Sequence, residues 1–262
     1  MAVGDLSDLA ATTVVLLLVA ALAAGWLDAV VGGGGLVQLP ALLLVPGLAP
    51  VQALATNKLA SIMGTTVSAA TFYRRVRPDL RTAAPMAMAA LAGSAGGAAL
   101  ATWLPAAAIE PIVLVALVGV GAWTAARPTL GRASELRWGG RRHYLVASGI
   151  GLGIGFYDGL VGPGTGMFLV FALVGVLGYA FLEASAKAKI VNAATNLGAL
   201  VVFGLAGAPV WRLGLLMGAA NIVGAYIGAR MAVARGSGFV RVVFLVVVGA
   251  LILRLGWDVA TR

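Results

Sequence analysis

Two lysines and two aspartates lie within or beside long apolar stretches of this chain, and they form matched pairs. Asp28 is followed by Asp158 at an offset of 130 residues, and Lys58 by Lys189 at an offset of 131. A charged residue at the centre of a bilayer costs about 2.5–3.5 kcal/mol on insertion scales, so it is rarely without a role. Two interpretations of the aspartates stay open: static salt bridges to the lysines, or proton carriers.

Neutral polar residues accompany both lysines at helical spacing. Positions i+3 and i+7 share one helix face with the lysine, and hydroxyl and amide residues occupy them: Ser61 and Thr65 after Lys58, and Asn192 and Asn196 after Lys189, with Asn57 directly before Lys58. A cation beside neutral donors is suited to binding an oxyanion. The alternative is hydrogen bonding between helices.

Two glycine loops, 32–35 and 162–166, each follow an apolar stretch and precede a short apolar run. Each glycine in a helix costs about 1 kcal/mol relative to alanine, so both loops should interrupt helices. The next helix would direct free N–H groups and its positive dipole end into the loop, as an anion site requires. The candidate binding residues are Gly33, Gly34, Gly35, Gly164, Thr165 and Gly166. The scattered Gly93, Gly97, Gly224 and Gly228 are better explained by close helix packing.

The composition predicts an all-α polytopic membrane protein. Hydrophobic residues make up 61% of the 262 residues and charged residues 10%, against about 25% charged in soluble domains. A spanning helix needs roughly 20 mostly apolar residues. The predicted spans are 12–31, 51–73, 82–101, 108–126, 143–161, 183–205, 211–229 and 239–257, and the shorter runs 36–47 and 166–178 are predicted half-helices.

The chain divides into two homologous halves. The predicted first membrane repeat is 1–126, the cytoplasmic linker 127–142 and the second repeat 143–262. Arginines cluster in 74–81 of the first repeat, whereas the equivalent loop 204–210 of the second has no charge and the next loop is basic. Because basic loops are cytoplasmic, we expect inverted repeats of five elements each. The alternative joins each short run to the helix before it, which gives four crossings and parallel repeats.

Several functions are excluded by residue types. There is no cysteine and only one histidine, His143, so we expect no metal site, no catalytic residues and no cofactor. The net charge of +9 comes mostly from loop arginines that set orientation, and we expect no nucleic-acid partner. Three embedded lysines, Lys187 included, against two embedded aspartates leave +1, which favours an anionic ligand over a metal cation.

The second glycine loop and its surroundings resemble the TauE/SafE sulfite exporter family, also called TSUP. The residues concerned are Gly155-Phe156-Tyr157-Asp158-Gly159, Gly162-Pro163-Gly164-Thr165-Gly166, and Ala188-Lys189 with Asn192. The first half has a similar pattern in Gly32–Gly35, Pro40 and Ala55-Thr56-Asn57-Lys58. The resemblance implies a multi-pass permease with two homologous halves, driven by proton-motive force, that moves sulfite, sulfonates or related anions without a cofactor.

The predicted function is secondary transport, in the export direction, of a small anion such as sulfite or an organosulfonate, with proton coupling as one option. The alternative is a passive anion channel, and a membrane-embedded enzyme is disfavoured because the chain lacks a His, Cys or carboxylate cluster. The expected partners are the anion and the lipid bilayer, with a homodimer as an open alternative. The expected location is the bacterial inner membrane.

Overall fold

The computed structural model describes residues 9–103 and 134–260, with side chains described as far as residue 243 and at 246. Every regular element in these residues is helical. In order they are α1 (Ala11–Val31), α2 (Gly35–Leu43), α3 (Pro50–Val76), α4 (Leu80–Ala101), α5 (Gly140–Leu160), α6 (Thr165–Ala172) with a π-helical turn at Leu173–Leu177, α7 (Phe181–Leu205) and α8 (Trp211–Ala260). The predicted span 108–126 lies outside the described residues.

The apolar helices confirm an all-α polytopic membrane protein. Within the described part of the chain, α1, α4, α7 and the segment Trp211–Val243 of α8 are long and apolar enough to cross a bilayer. Helix α8 contains a break at Gly236, where φ is 72°. This break lies between the predicted spans 211–229 and 239–257, so two predicted spans lie in one interrupted helix.

Each short helix folds back along the helix before it. In the second half, His143 in the first turn of α5 lies with its Nε2 2.9 Å from the hydroxyl of Tyr179, which follows the π-helical turn. In the first half, Leu17 of α1 packs in one buried cluster with Leu39 and Leu42 of α2. In the described residues the short runs therefore lie along the preceding helices as hairpin arms, whereas the count of five elements per repeat stays a prediction. The insertion direction of the halves stays a prediction.

Contacts between the halves repeat under exchange of the two repeats. Gly93 of α4 meets the backbone of Leu152 in α5, and its repeat partner Gly224 of α8 meets the backbone of Leu22 in α1. A Cβ at Gly93 would lie 2.2 Å from the Leu152 carbonyl oxygen, and one at Gly224 would lie 1.9 Å from that of Leu22. Helices therefore cross at glycines with their backbones in contact, which confirms the packing role predicted for the scattered glycines.

Adjacent glycines on α4 allow this packing to be tested. A Cβ at Gly97 would lie 2.0 Å from the Phe156 carbonyl oxygen, whereas one at Gly96 would come no closer than 3.8 Å to the Phe156 ring. We expect Gly97→Ala to lower the free energy of unfolding by about 1–3 kcal/mol, because α4 and α5 must separate. Gly96→Ala, the matched control, should leave the unfolding midpoint in detergent unchanged or slightly raised. Equal midpoints for the two variants would contradict the contact.

Candidate functional site

Four helices bring the predicted charged residues together as two ion pairs that cross between the repeats. Lys58 of α3 lies with its Nζ 2.6 Å from Oδ2 of Asp158 in α5. Lys189 of α7 lies with its Nζ 3.4 Å from Oδ2 of Asp28 in α1. Each lysine is paired with the aspartate of the other repeat, so the two halves are joined through buried charges.

The two ion pairs differ in their surroundings. The side chains of Lys58 and Asp158 are each 2% exposed, whereas that of Asp28 is 14% exposed. Lys189 also donates to the backbone carbonyl of Asp28. The hydroxyl of Thr65, which donates to the Ser61 carbonyl over 2.7 Å, lies 3.4 Å from Asp28 Oδ2. The Lys58–Asp158 pair is therefore fully buried, whereas the Asp28 side chain of the other pair is partly exposed to solvent.

A small polar cavity lies between the ion pairs. Its volume is about 20 Å³, which is enough for roughly one water molecule. The lining residues are Asp28, Gly32, Gly35, Asn57, Lys58, Ser61, Asp158, Gly162, Gly164, Thr165, Gly166, Asn192 and Asn196. Asn57 Oδ1 is buried and has no hydrogen-bond partner among the described residues. A polyatomic anion is larger than this space, so the helices or the ion pairs must move apart before one can bind.

The two glycine loops touch each other beside the cavity. The N–H of Met167 donates to the carbonyl of Gly32 over 3.2 Å. A Cβ at Gly32 would lie 2.2 Å from the backbone of Gly166, and the φ of Gly32 is 87°. Both facts require glycine at this position. A Cβ at Gly162 would lie 2.9 Å from Lys58 Nζ, so this glycine leaves room for the ammonium group.

Three residues of the cavity lining, Gly35, Gly164 and Gly166, have backbone N–H groups that are available to a ligand, and two of these residues are repeat partners. Gly35 begins α2, and Gly166, its repeat partner, is the second residue of α6. Both residues line the cavity, and neither N–H donates to another backbone carbonyl among the described residues. Because they lie in the first turns of their helices, they face the positive end of each helix dipole. An anion in the cavity would meet N–H donors from both repeats.

The structure brings most of the predicted site residues to this cavity. The predicted residues that line it are Asp28, Asn57, Lys58, Ser61, Asp158, Asn192, Asn196, Gly35, Gly164, Thr165 and Gly166. Lys189 does not line the cavity itself, but it pairs with Asp28, which does. Gly33 and Gly34 do not: a Cβ at Gly33 would face Leu36 and Met167, and one at Gly34 would meet the Ala24 carbonyl. The hydroxyl of Thr165 donates to the Gly162 carbonyl over 2.7 Å, so its proton is already used within the loop.

Lys187 lies away from the cavity, at the beginning of α7. Its Nζ donates to the Asp79 carbonyl over 3.1 Å and lies 3.3 Å from Glu183 Oε1. Its repeat partner Thr56 accepts the N–H of Val210 over 3.0 Å. Each of the two residues therefore contacts the start of a helix in the other repeat. The predicted surplus of +1 counted Lys187. Without it, the two ion pairs beside the cavity set two lysines against two aspartates.

Two buried polar residues behind the cavity were not predicted from the sequence. Gln38 of α2 donates from Nε2 to the carbonyl of Asn57 over 3.4 Å. Asn221 of α8 donates from Nδ2 to Gln38 Oε1 over 2.8 Å. Both are buried polar residues in largely apolar helices, which is the signal that could have found them. Among the described residues, no group of three His, Cys, Asp or Glu side chains could hold a metal ion.

Comparison with known proteins identifies the family. Residues 17–255 match the family model "Sulfite exporter TauE/SafE". The probable membrane transporter protein ORF9 of Sinorhizobium sp is 35% identical over 250 residues, covering 95% of both chains. The probable membrane transporter protein YfcA of Escherichia coli K12 is 32% identical over 238 residues, covering 90% of this chain and 87% of its own. No solved structure matches the chain. The chain belongs to the TauE/SafE sulfite exporter family of membrane transporters.

Proposed function

We propose that this protein is a proton-coupled secondary transporter of a small oxyanion, such as sulfite or an organosulfonate, in the bacterial cell membrane. The observation that carries the proposal is the pair of crossed Lys–Asp contacts enclosing a cavity with free N–H groups from both repeats. Lysine ammonium groups and backbone N–H groups bind oxyanions. The family membership supports transport, and the bacterial relatives support the location.

Coupling to protons follows from the charge balance of the cavity. With both pairs intact, each lysine is neutralised by a carboxylate that occupies the place of an anionic ligand. An anion can take that place only when the carboxylate moves away, and a buried carboxylate without its cation is strongly unfavourable. Protonation of the aspartate removes this cost. The aspartates then act as internal substitutes for the substrate, released by a proton.

This scheme carries the proton and the anion in the same direction. An inward proton gradient would therefore drive uptake, and the predicted export would run on the outward gradient of the anion itself. The unequal burial of the two pairs, 2% for Asp158 and 14% for Asp28, supports a cycle in which each pair opens in turn. Rocking of the repeats about a central site would supply that alternation.

Flux of radiolabelled sulfite into proteoliposomes tests the proposal. We expect accumulation when the outside is made acid, and its loss when a protonophore dissipates the gradient. Accumulation under the opposite gradient would indicate exchange of anion for proton and would contradict the shared direction. Sulfite flux that does not depend on the proton gradient would favour the passive channel. If sulfite does not move at all, sulfite is rejected as the substrate and organosulfonates are tested in the same assay.

A further inference from the structure

A second basic cavity lies between the end of α3 and the middle of α8, away from the transport site. Its volume is about 340 Å³, and its lining residues are Thr71, Arg74, Arg75, Tyr226, Arg230, Val233 and Ala234. This volume falls within the range of small-molecule sites. None of these residues lines the cavity between the ion pairs. We propose that the basic cavity between α3 and α8 binds the phosphate-bearing headgroup of an anionic phospholipid.

The charge of the cavity is uncompensated. No carboxylate lies within 4.0 Å of Arg74, Arg75 or Arg230 in the part of the chain whose side chains are described. Arg230 is held from below by Tyr226: its Nη1 donates to the tyrosine hydroxyl over 2.9 Å, and its Cζ lies 5.3 Å from the ring centroid. A guanidinium fixed by one contact keeps further N–H donors, which match phosphate oxygens in geometry.

The neighbouring surface favours a lipid over a free phosphate ion. On α8, one to two turns before Arg230, the exposed side chains are Val223 at 49%, Tyr226 at 46% and Ile227 at 46%. In a helix that crosses a bilayer, such a face contacts acyl chains. The arginines lie where the apolar face ends, as basic residues do at the membrane boundary. A lipid could therefore place its headgroup among the arginines and its chains against Val223 and Ile227.

The basic cavity is not a consequence of the repeated fold. The repeat partners of the polar lining residues are apolar: Val202, Leu205, Ala206, Ala95 and Ala99 replace Thr71, Arg74, Arg75, Tyr226 and Arg230. The same helix crossing therefore exists twice, and only one copy has guanidinium groups. Basic pockets between membrane helices bind anionic headgroups, and a one-sided site suits a bilayer whose two leaflets differ.

Native mass spectrometry of the purified full-length chain with added lipid tests the proposal. We expect phosphatidylglycerol to remain bound and phosphatidylcholine to be lost. Arg74→Gln and Arg230→Gln should each weaken phosphatidylglycerol binding about fivefold, and more when combined. The matched control is Arg235→Gln, also on α8, whose guanidinium lies 4.9 Å from the Phe239 ring centroid and outside the cavity. It should retain wild-type binding.

Three results would overturn the proposal. One is equal retention of phosphatidylcholine and phosphatidylglycerol by the wild-type protein. Another is an equal loss in Arg235→Gln and Arg230→Gln, which would indicate a general effect of surface charge. The third is displacement of the lipid by inorganic phosphate that itself binds in an arginine-dependent manner, which would make this a phosphate site. If the double variant does not elute as one species in size-exclusion chromatography, the single variants Arg74→Gln and Arg230→Gln test the proposal without it.

Discussion

Replacing Lys58 by methionine is expected to abolish transport and to lower the free energy of unfolding by about 3–5 kcal/mol. Methionine retains much of the lysine side-chain volume, so packing changes little. The loss comes from Asp158, whose carboxylate is 2% exposed and pairs with Lys58 at 2.6 Å. Without the ammonium, that carboxylate is buried and uncompensated. Thermal unfolding in detergent measures the loss of stability, and sulfite flux in proteoliposomes measures the loss of transport.

A double variant separates stability from function. Lys58→Met/Asp158→Asn removes both charges, so we expect most of the lost stability to return, because no unpaired charge remains. Transport should stay absent, since the cation that binds the anion is gone. The matched control is Lys187→Met, which removes another fully buried lysine outside the cavity. It should lose stability and still transport per folded molecule. A double variant that transports would reduce the pair to a structural link.

Much of this site could be predicted because the repeat marks its residues. The pairing of Asp28 with Asp158 and of Lys58 with Lys189 by offset identified all four charged residues. The partner of each lysine could not be predicted in the same way. Lys58 is closer in sequence to Asp28, yet it pairs with Asp158 across the repeats. That choice depends on how the helices of the two halves pack, which a hydropathy pattern does not contain.

The sequence could have predicted that Lys187 lies away from the cavity. Residues two apart on a helix do not face each other, so Lys187 and Lys189 could not both face one cavity. The structure has Lys189 against Asp28, which lines the cavity, and Lys187 against the Asp79 carbonyl. The sequence could not predict that Gly33 and Gly34 lie outside the cavity lining, because it does not distinguish among four consecutive glycines. Only the fold-back of α2 onto Ala24 distinguishes them.

Replacing Asp158 by asparagine is expected to uncouple transport from the proton gradient. Asparagine resembles the protonated aspartate in shape and charge, so Lys58 becomes permanently available to an anion. We expect sulfite to raise the unfolding temperature of this variant more than that of the wild type, because the anion compensates a buried ammonium. Exchange of labelled for unlabelled sulfite should continue, whereas accumulation driven by acid outside should fall to the level without a gradient.

The matched control is Asp79→Asn, which removes a carboxylate at the N-terminus of α4 while retaining a residue suited to that cap. It lies outside the cavity, so coupling should be unchanged. If Asp158→Asn still accumulates sulfite against its gradient, the proton is not carried by Asp158. Asp28, whose side chain is the more exposed of the two, is then the remaining carboxylate that lines the cavity. Asp28→Asn tests whether Asp28 carries the proton or whether the proton moves without a carboxylate.

Loss of both exchange and accumulation in Asp158→Asn would instead mean that the Lys58–Asp158 contact is needed for the conformational cycle itself. In that case the carboxylate could not be a mere substitute for the substrate.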